Sequence, residues 1–187
     1  EPTTRRKDGP VRAIFVGWLI PEKGTYELVE AIRRVEGVTV ALVGHVSSKE
    51  ERQRLEAAIE KAGVTDRVEI VGMIPADEVP QRLLDADLFV LPTHFEGFPL
   101  SVLEAMAAGL PCIVSGVGAV PDIVRDGEDG FVMPAKDTDS LVRALQTLVG
   151  DEGLRAQMGQ ASAQRVRTEF DVSVVARKIG SLWSGLI

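Results

Sequence analysis

The chain has little of several things that would point to a specialised class of protein. It contains one cysteine in 187 residues, so no internal disulfide can form, and a reducing compartment is the simpler interpretation. No apolar run approaches the ~20 residues of a membrane-spanning helix, and we see no signal peptide. A net charge of -7 argues against a general affinity for nucleic acid or anionic lipid. We therefore expect a soluble, cytoplasmic protein without a transmembrane segment or a nucleic-acid partner.

The length and the remaining composition are those of an ordinary globular domain. Hydrophobic residues make up 45% and charged residues 26% of 187 positions, which is enough for one good-sized core. The first ten residues, EPTTRRKDGP, are polar, and we expect them to be a linker. Residues 11–187 are expected to form a single domain, and the chain to be a piece of a longer protein.

Strands and helices alternate along the sequence. Apolar runs predict strands at residues 11–18, 38–43, 68–71, 87–91, 111–115 and 130–133. Helical spacing predicts helices at 23–35, 48–62, 77–86, 100–108, 138–149, 152–168 and 172–186, with a helical turn at 121–124. This alternation predicts an α/β fold: a doubly wound, Rossmann-like parallel sheet of about six strands, with helices on both faces. The usual strand order for such a sheet is 3-2-1-4-5-6.

The segment EGFPLSVLEAMAAGLPCIVS, residues 96–115, has the layout of an anion site. Gly97 permits backbone conformations that are closed to other residues, and Pro99 fixes its own φ near a helix start. The amides from Phe98 to Val102 are then expected to lack intrahelical partners and to attract phosphate. Glu96 and Glu104 flank these amides, and carboxylates accept hydrogen bonds from sugar hydroxyls. A nucleotide sugar combines phosphates with hydroxyls at both ends, so it fits this layout.

Lys23 is the cation that we place beside this segment. In the predicted strand order the loop after the first strand, residues 17–24, and the loop after the fourth, residues 92–100, open into one crevice. Lys23 then lies within reach of the amides near Phe98 and completes a diphosphate clamp. Taken alone, a lysine in a loop is more often simply solvated.

Four motifs together resemble a known family: FVGWLIPEKG at 15–24, VEIVG at 68–72, EGFPLSVLEAMAAGLP at 96–111 and GAVPDIVRDGEDGFVMP at 118–134. In this order and spacing they are similar to the C-terminal, donor-binding half of a retaining glycosyltransferase of the group 1 (family 4) type. Such enzymes have the two-Rossmann-domain GT-B architecture. The resemblance runs from about Val11 to the end of the chain.

The resemblance implies a role for each site residue. Glu96 would contact the hydroxyls of the donor sugar and assist the transfer, and Lys23 would hold the diphosphate, so these two are the expected catalytic residues. Glu104 would hold the ribose. The remaining donor-binding positions are Gly17 and Trp18 in the first loop, Met73 and Ile74 near the base, and Gly97, Phe98, Pro99 and Leu100 at the helix start.

The resemblance also implies what the chain binds and what it lacks. Its ligand would be a nucleoside-diphosphate sugar acting as substrate, with no further cofactor and no metal, because fixed cations and amides replace a divalent ion. The N-terminal, acceptor-binding domain is absent from this chain. We therefore expect the chain to bind donor but not to catalyse transfer alone, and the missing half to decide whether the whole enzyme reaches the inner membrane surface.

Two positions depart from the family pattern. The family usually has arginine where this chain has Trp18, so half of the expected cationic clamp is missing. Trp18 is expected either to stack on the ligand or to close the end of a strand. The family's Gly-Gly-x-Pro-Glu is replaced by residues 118–122, GAVPD, in a loop expected to tune the donor pocket. Of the two histidines, His94 adjoins Glu96 and is a candidate for the edge of the site, whereas His45 is expected at the surface or a hinge.

Other classes of protein fit less well. A non-hydrolysing sugar-nucleotide epimerase shares the two-domain architecture but is expected to carry several histidines and acids in its crevice. A dehydrogenase needs G-x-G-x-x-G after its first strand, where this chain has GWLIPEKG. A phosphorylated signalling receiver domain needs acidic residues after its first and third strands, where this chain has Trp18 and Gly72. The epimerase half-domain and a nucleotide-binding module without a catalytic role remain the alternatives.

Overall fold

Within residues 9–184, six strands form one sheet. They are β1 (Val11–Val16), β2 (Val38–Val43), β3 (Val68–Gly72), β4 (Leu88–Leu91), β5 (Cys112–Ser115) and β6 (Gly130–Met133). All neighbouring strands pair in parallel, in the order β3-β2-β1-β4-β5-β6. The predicted doubly wound fold and its strand order are therefore confirmed.

Helices cover both faces of this sheet. They are α1 (Thr25–Arg34), α2 (Lys49–Ala62), α3 (Val79–Asp85), α4 (Leu100–Ala107), α5 (Val120–Ile123), α6 (Thr138–Gly150), α7 (Glu152–Arg165) and α8 (Val172–Ser184), with a 3-10 turn at Pro21–Lys23 and a π-helical segment at Val166–Phe170. Helix α1 packs against α2 and α6, whereas α4 packs against α3 and α7. Strands β4 and β5 lie between these layers, and every residue in them is buried. That burial explains their uninterrupted apolar sequences.

The structure, a computed structural model, describes residues 9–184 except for the side chains of residues 178–180 and 182–184. Most of the predicted linker at 1–10 and the end of the predicted helix at 172–186 lie outside the described residues. The linker and the single-domain assignment of 11–187 stay predictions.

Several predicted boundaries were wrong by one to three residues, for local reasons. The helix predicted from residue 23 begins at Thr25, because Gly24 adopts a left-handed conformation (φ 75°) that ends the 3-10 turn. The strand predicted to residue 18 ends at Val16. The helix predicted from 77 begins at Val79, which places Pro80 in its first turn, where proline is tolerated. The helix predicted to 168 gives way to the π-helical segment after Arg165.

A partly buried ion pair joins β1 to the residue that precedes β4. The Asp87 carboxylate accepts hydrogen bonds from the Arg12 Nε and NH2 groups, at 3.1 Å each, and from the Arg12 backbone amide at 2.8 Å. The hydrogen bond to Asp87 raises the pKa of the Arg12 guanidinium above its usual range. Because this bidentate contact joins residues 75 positions apart, it helps to fix the pairing of two strands that are distant in sequence.

The single thiol lies in the core and should be unreactive in the folded protein. Cys112 is fully buried, and this burial raises the pKa of its thiol far above the usual range, so little thiolate exists at pH 8. We expect Ellman's reagent to label native protein only as fast as the chain opens, and to label one thiol at once in 6 M guanidinium. Cys112→Ala supplies the background. Labelling of native protein within seconds would contradict the buried position.

Candidate functional site

Two loops from neighbouring strands meet at the carboxyl edge of the sheet. Strand β1 pairs with β2 on one side and with β4 on the other, so the winding of the chain reverses at β1. The loop at residues 17–24 follows β1, and the loop at residues 92–99 follows β4. A crevice beyond such a reversal is the usual ligand site of a doubly wound sheet.

The two loops are joined around the backbone carbonyl of Glu22. This oxygen accepts a hydrogen bond from the His94 amide at 2.8 Å, and it lies 3.3 Å from the buried Thr93 hydroxyl. That hydroxyl also donates to the Phe95 carbonyl at 2.8 Å. Gly24 packs directly against Pro92, where an added Cβ would lie 2.0 Å from the carbonyl oxygen. The loops therefore behave as one packed unit.

Lys23 and Glu96 face each other across this junction. The Lys23 ammonium donates a hydrogen bond to Glu96 Oε1, and the exposed fractions of the two side chains are only 22% and 13%. An ion pair with this degree of burial is screened less by solvent than a surface pair. The structure thus brings the two expected catalytic residues together, with the lysine on the carboxylate rather than alone in solvent.

The start of α4 offers backbone amides beside this pair. Among the described residues, the amides of Gly97, Phe98, Leu100 and Ser101 have no hydrogen-bond acceptor. The expectation of free amides from Phe98 to Val102 was too broad at two positions. Pro99 has no N–H, and the Val102 amide donates to the Pro99 carbonyl at 3.1 Å. Leu100 and Ser101 lie in the first turn of α4, whose partial positive charge favours an anion, and Gly97 and Phe98 add two loop amides just before it.

The other predicted contacts are spread along the same edge of the sheet. Glu104 lies one turn into α4 and is exposed. Met73 and Ile74 follow β3, the edge strand beyond β2; Met73 is 77% exposed, and Ile74 is partly buried against the core. The ligand-binding roles of these three residues, and of the other predicted site residues, stay predictions.

Trp18 lies in the loop after β1 rather than at the end of the strand. Gly17 still donates its amide to the Val43 carbonyl at 3.0 Å, but the indole of Trp18 is 56% exposed. Its ring meets the ring of His45 edge-on, with centroids 5.2 Å apart and an interplanar angle of 77°. Both predictions for Trp18 stay open, since the Leu19 amide still donates to the His45 carbonyl at 2.8 Å beyond the end of β1.

The loop expected to tune the pocket packs against the backbone of Glu96, and its effect on the pocket stays a prediction. Gly118 has a left-handed conformation (φ 56°), and an added Cβ would lie 2.0 Å from the Glu96 carbonyl oxygen. The amide of Ala119 donates to the Gly97 carbonyl at 3.0 Å. The substitutions in this loop relative to the family pattern therefore lie behind the site residues.

Sequence reasoning missed Thr93 and Glu27. Thr93 ties the two loops together, and its only signal was that it is the first polar residue after a buried apolar strand. Glu27 lies in the first turn of α1 and faces His94, whose Nε2 is 2.7 Å from Glu27 Oε1. Nothing in the spacing of these two residues predicted that contact, because it joins positions 67 residues apart.

Other surfaces of the described chain lack the features of this crevice. A groove of about 550 Å³ lies at the amino ends of the strands, lined by Arg12, Thr39, Arg67 and Asp85 among others. Its position is at the opposite edge of the sheet from the ligand sites of doubly wound folds. No three His, Cys, Asp or Glu side chains in the described part are grouped to hold a metal ion. None of the described helices has the length and apolar composition needed to cross a bilayer.

The fold and the crevice define a doubly wound, Rossmann-like domain with an anion site at its winding reversal. Residues 2–165 match the model of the family described as Glycosyl transferases group 1, and the chain belongs to that family. It corresponds to the C-terminal domain of these proteins, of the GT-B type, as the motifs predicted.

Individual relatives agree with this assignment. The chain is 30% identical over 176 residues to a glycogen synthase of Mycobacterium tuberculosis, covering 92% of this chain and 42% of the relative. It superposes on a sucrose-phosphate synthase of Thermosynechococcus elongatus with a TM-score of 0.86 and 30% identity, over 96% of this chain and 46% of that one. HepE of Anabaena, solved with UDP-glucose, gives a TM-score of 0.85 at 23% identity, over 94% and 49% of the two chains, a likeness of fold alone. The chain thus spans less than half the length of these proteins.

Replacing Gly118 should disturb the backbone that carries Glu96. Gly118→Ala places a methyl group against the Glu96 carbonyl, whereas Gly127→Ala, at a similar left-handed position (φ 78°), meets nothing within 4 Å. Both variants carry the cost of a left-handed alanine, about 1 kcal/mol. We expect Gly118→Ala to lose clearly more unfolding free energy in urea than Gly127→Ala. Equal losses would show that the loop does not press on Glu96.

Proposed function

We propose that this chain is the donor-binding domain of a retaining glycosyltransferase, which moves a sugar from a nucleoside-diphosphate sugar to an acceptor. The observation that carries the proposal is the Lys23–Glu96 pair at the winding reversal, beside the amides at and before the start of α4 that have no partner among the described residues. A cation and amides suit a diphosphate, and carboxylates suit sugar hydroxyls. Membership of the glycosyltransferase family supports the reaction class.

The phosphates are assigned to Lys23 and to the amides of Gly97, Phe98, Leu100 and Ser101. As the bond between the sugar and its phosphate breaks, negative charge accumulates on the leaving phosphate oxygen. The amides are already oriented and stabilise that charge without reorganising. To reach the phosphates, the Lys23 ammonium exchanges its Glu96 partner for a phosphate oxygen, and this exchange releases the Glu96 carboxylate to accept hydrogen bonds from the sugar.

The ends of the donor are assigned to the flanking residues. Glu104 accepts hydrogen bonds from the ribose, and the backbone near Met73 and Ile74 holds the base. Gly17 allows the first loop to approach the ligand, and Trp18 offers an exposed ring beside it. Metal and further cofactors have no role in this proposal, because the cation and amides supply the positive charge.

A second domain completes the proposed enzyme. The chain spans 42% of the glycogen synthase relative and 46% of the sucrose-phosphate synthase, which leaves room for an acceptor-binding half. Closure of that half over the donor would exclude water and bring the acceptor into place. Alone, the chain is proposed to bind donor without transferring it. The whole enzyme is proposed to act in the cytoplasm or, through its other half, at the inner membrane surface.

The first test is nucleotide binding by the chain itself. Calorimetry with UDP, GDP and ADP should find at least one ligand with modest affinity, since no second domain closes over it. Lys23→Ala should weaken that binding about tenfold or more, because it removes a charged hydrogen bond and leaves Glu96 uncompensated. Lys61→Ala, an exposed lysine at the end of α2, makes the same change in net charge and should bind like the parent. Equal affinity of Lys23→Ala and the parent would remove Lys23 from the phosphate site.

The second test separates the two glutamates. Glu104→Ala should weaken the binding of a nucleoside diphosphate and of its sugar conjugate to the same extent, since both carry the ribose. Glu96→Ala should weaken only the sugar conjugate, because Glu96 is assigned to the sugar. Calorimetric titrations of both ligands into both variants give the comparison. If each variant loses the two ligands equally, the assignment of ribose and sugar is wrong.

A further inference from the structure

The contact between His94 and Glu27 belongs to no part of the proposed donor site. His94 Nε2 lies 2.7 Å from Glu27 Oε1, and the exposed fractions of the two side chains are 19% and 22%. A glutamate carboxylate only accepts hydrogen bonds, so the Nε2 atom carries the proton and donates it. The contact is therefore a charge-assisted hydrogen bond, largely shielded from water.

Glu27 stands on a rigid support. Helix α1 buries Leu28, Val29 and Ile32 in the core, each with at most 3% of its surface exposed. The same helix packs against α2 and α6. A side chain in the first turn of this helix holds its partner in a fixed position relative to the sheet.

The chain after His94 is held through its backbone more than through buried side chains, since Thr93 donates to the Phe95 carbonyl and Ala119 to the Gly97 carbonyl. Phe95 and Phe98 are 77% and 54% exposed, and Gly97 is also exposed. Glu96 lies in the middle of this exposed segment. Its backbone is held from behind by Gly118 and from upstream by His94, whose amide and imidazole both bind the loop to the β1–α1 side.

We propose that Glu27 and His94 are a positioning pair, which holds the Glu96 carboxylate where the donor sugar must meet it. Neither side chain touches the ligand in this proposal. The pair acts by restricting the loop at 94–98, so it favours ligands that carry a sugar over the bare nucleotide. The inference rests on the proposed role of Glu96 and adds the means by which this domain discriminates in favour of the sugar.

The binding test compares UDP with UDP-glucose, or GDP with GDP-mannose if UDP does not bind. We expect His94→Leu to weaken UDP-glucose about fivefold, the usual value of one hydrogen bond, and UDP by less than twofold. His94→Gln should restore the parent ratio, because its amide nitrogen can donate to Glu27. Loss of both ligands to the same extent, loss of neither, or failure of glutamine to rescue would overturn the proposal.

A matched pair on α1 separates this effect from a change of charge or of folding. Glu27→Ala breaks the contact from the helix side and should reproduce the His94→Leu ratio, including if His94→Leu does not fold. Glu30→Ala removes a carboxylate from the same helix that pairs with Arg33 in solvent, and it should leave the ratio unchanged. A shift of the ratio by Glu30→Ala as large as that by Glu27→Ala would contradict the assignment.

Hydrogen exchange without ligand tests the pair independently of the proposed function. The amides of His94 and Ala119, which donate to the Glu22 and Gly97 carbonyls, should exchange faster in His94→Leu and Glu27→Ala than in the parent, and at the parent rate in His94→Gln and Glu30→Ala. If no nucleotide binds the parent but exchange changes as expected, the proposal that the isolated chain binds donor is wrong. The restriction of the loop by the positioning pair is then still supported. Unchanged exchange in both His94→Leu and Glu27→Ala would show that the positioning pair does not restrict the loop.

Discussion

The pairing of β1 with β4 is the constraint on which the site depends. These strands are separated by two strand-helix units in sequence, yet they lie side by side and are fastened by the bidentate Arg12–Asp87 contact at their amino ends. Because the two strands are adjacent and parallel, the loops that follow their carboxyl ends lie next to each other. Every contact at the crevice, from the Glu22 carbonyl to the Lys23–Glu96 pair, is a consequence of that adjacency.

The site is built from a rigid floor and a lightly anchored loop. The floor consists of buried strands and of α1, whereas Glu96 lies in a segment with exposed side chains on either side. Such a division suits a residue that must exchange partners when a ligand arrives, because the Glu96 side chain can adjust while the strands and α1 stay in place. The supports behind Glu96 come from the loops after three separate strands, through Glu22, Thr93 and Gly118.

The sequence predicted the fold well because the fold depends on local signals. Apolar runs, glycines and prolines placed each element to within one to three residues, and the usual winding order supplied the topology. The crevice followed from the usual winding order, which is why Lys23 was placed beside the loop that carries Glu96. Contacts between distant side chains left no such signal: the partner of His94 is 67 positions away, and the support from Gly118 is a backbone contact. The first strand was predicted two residues too long, because an apolar run does not mark the last residue of a strand.

The Lys23–Glu96 pair changes how the strength of the site should be measured. In the proposed reaction the diphosphate takes the place of Glu96 as the partner of Lys23. The binding free energy that Lys23 contributes is therefore the difference between the Lys23–phosphate and Lys23–Glu96 interactions. The amides at and before the start of α4 have no acceptor among the described residues, so they exchange water rather than a protein partner for phosphate. Part of the proposed affinity then comes from the main chain, in groups common to almost every amino acid. A scan of side-chain substitutions would report the contribution of Lys23 and leave that of the amides unmeasured.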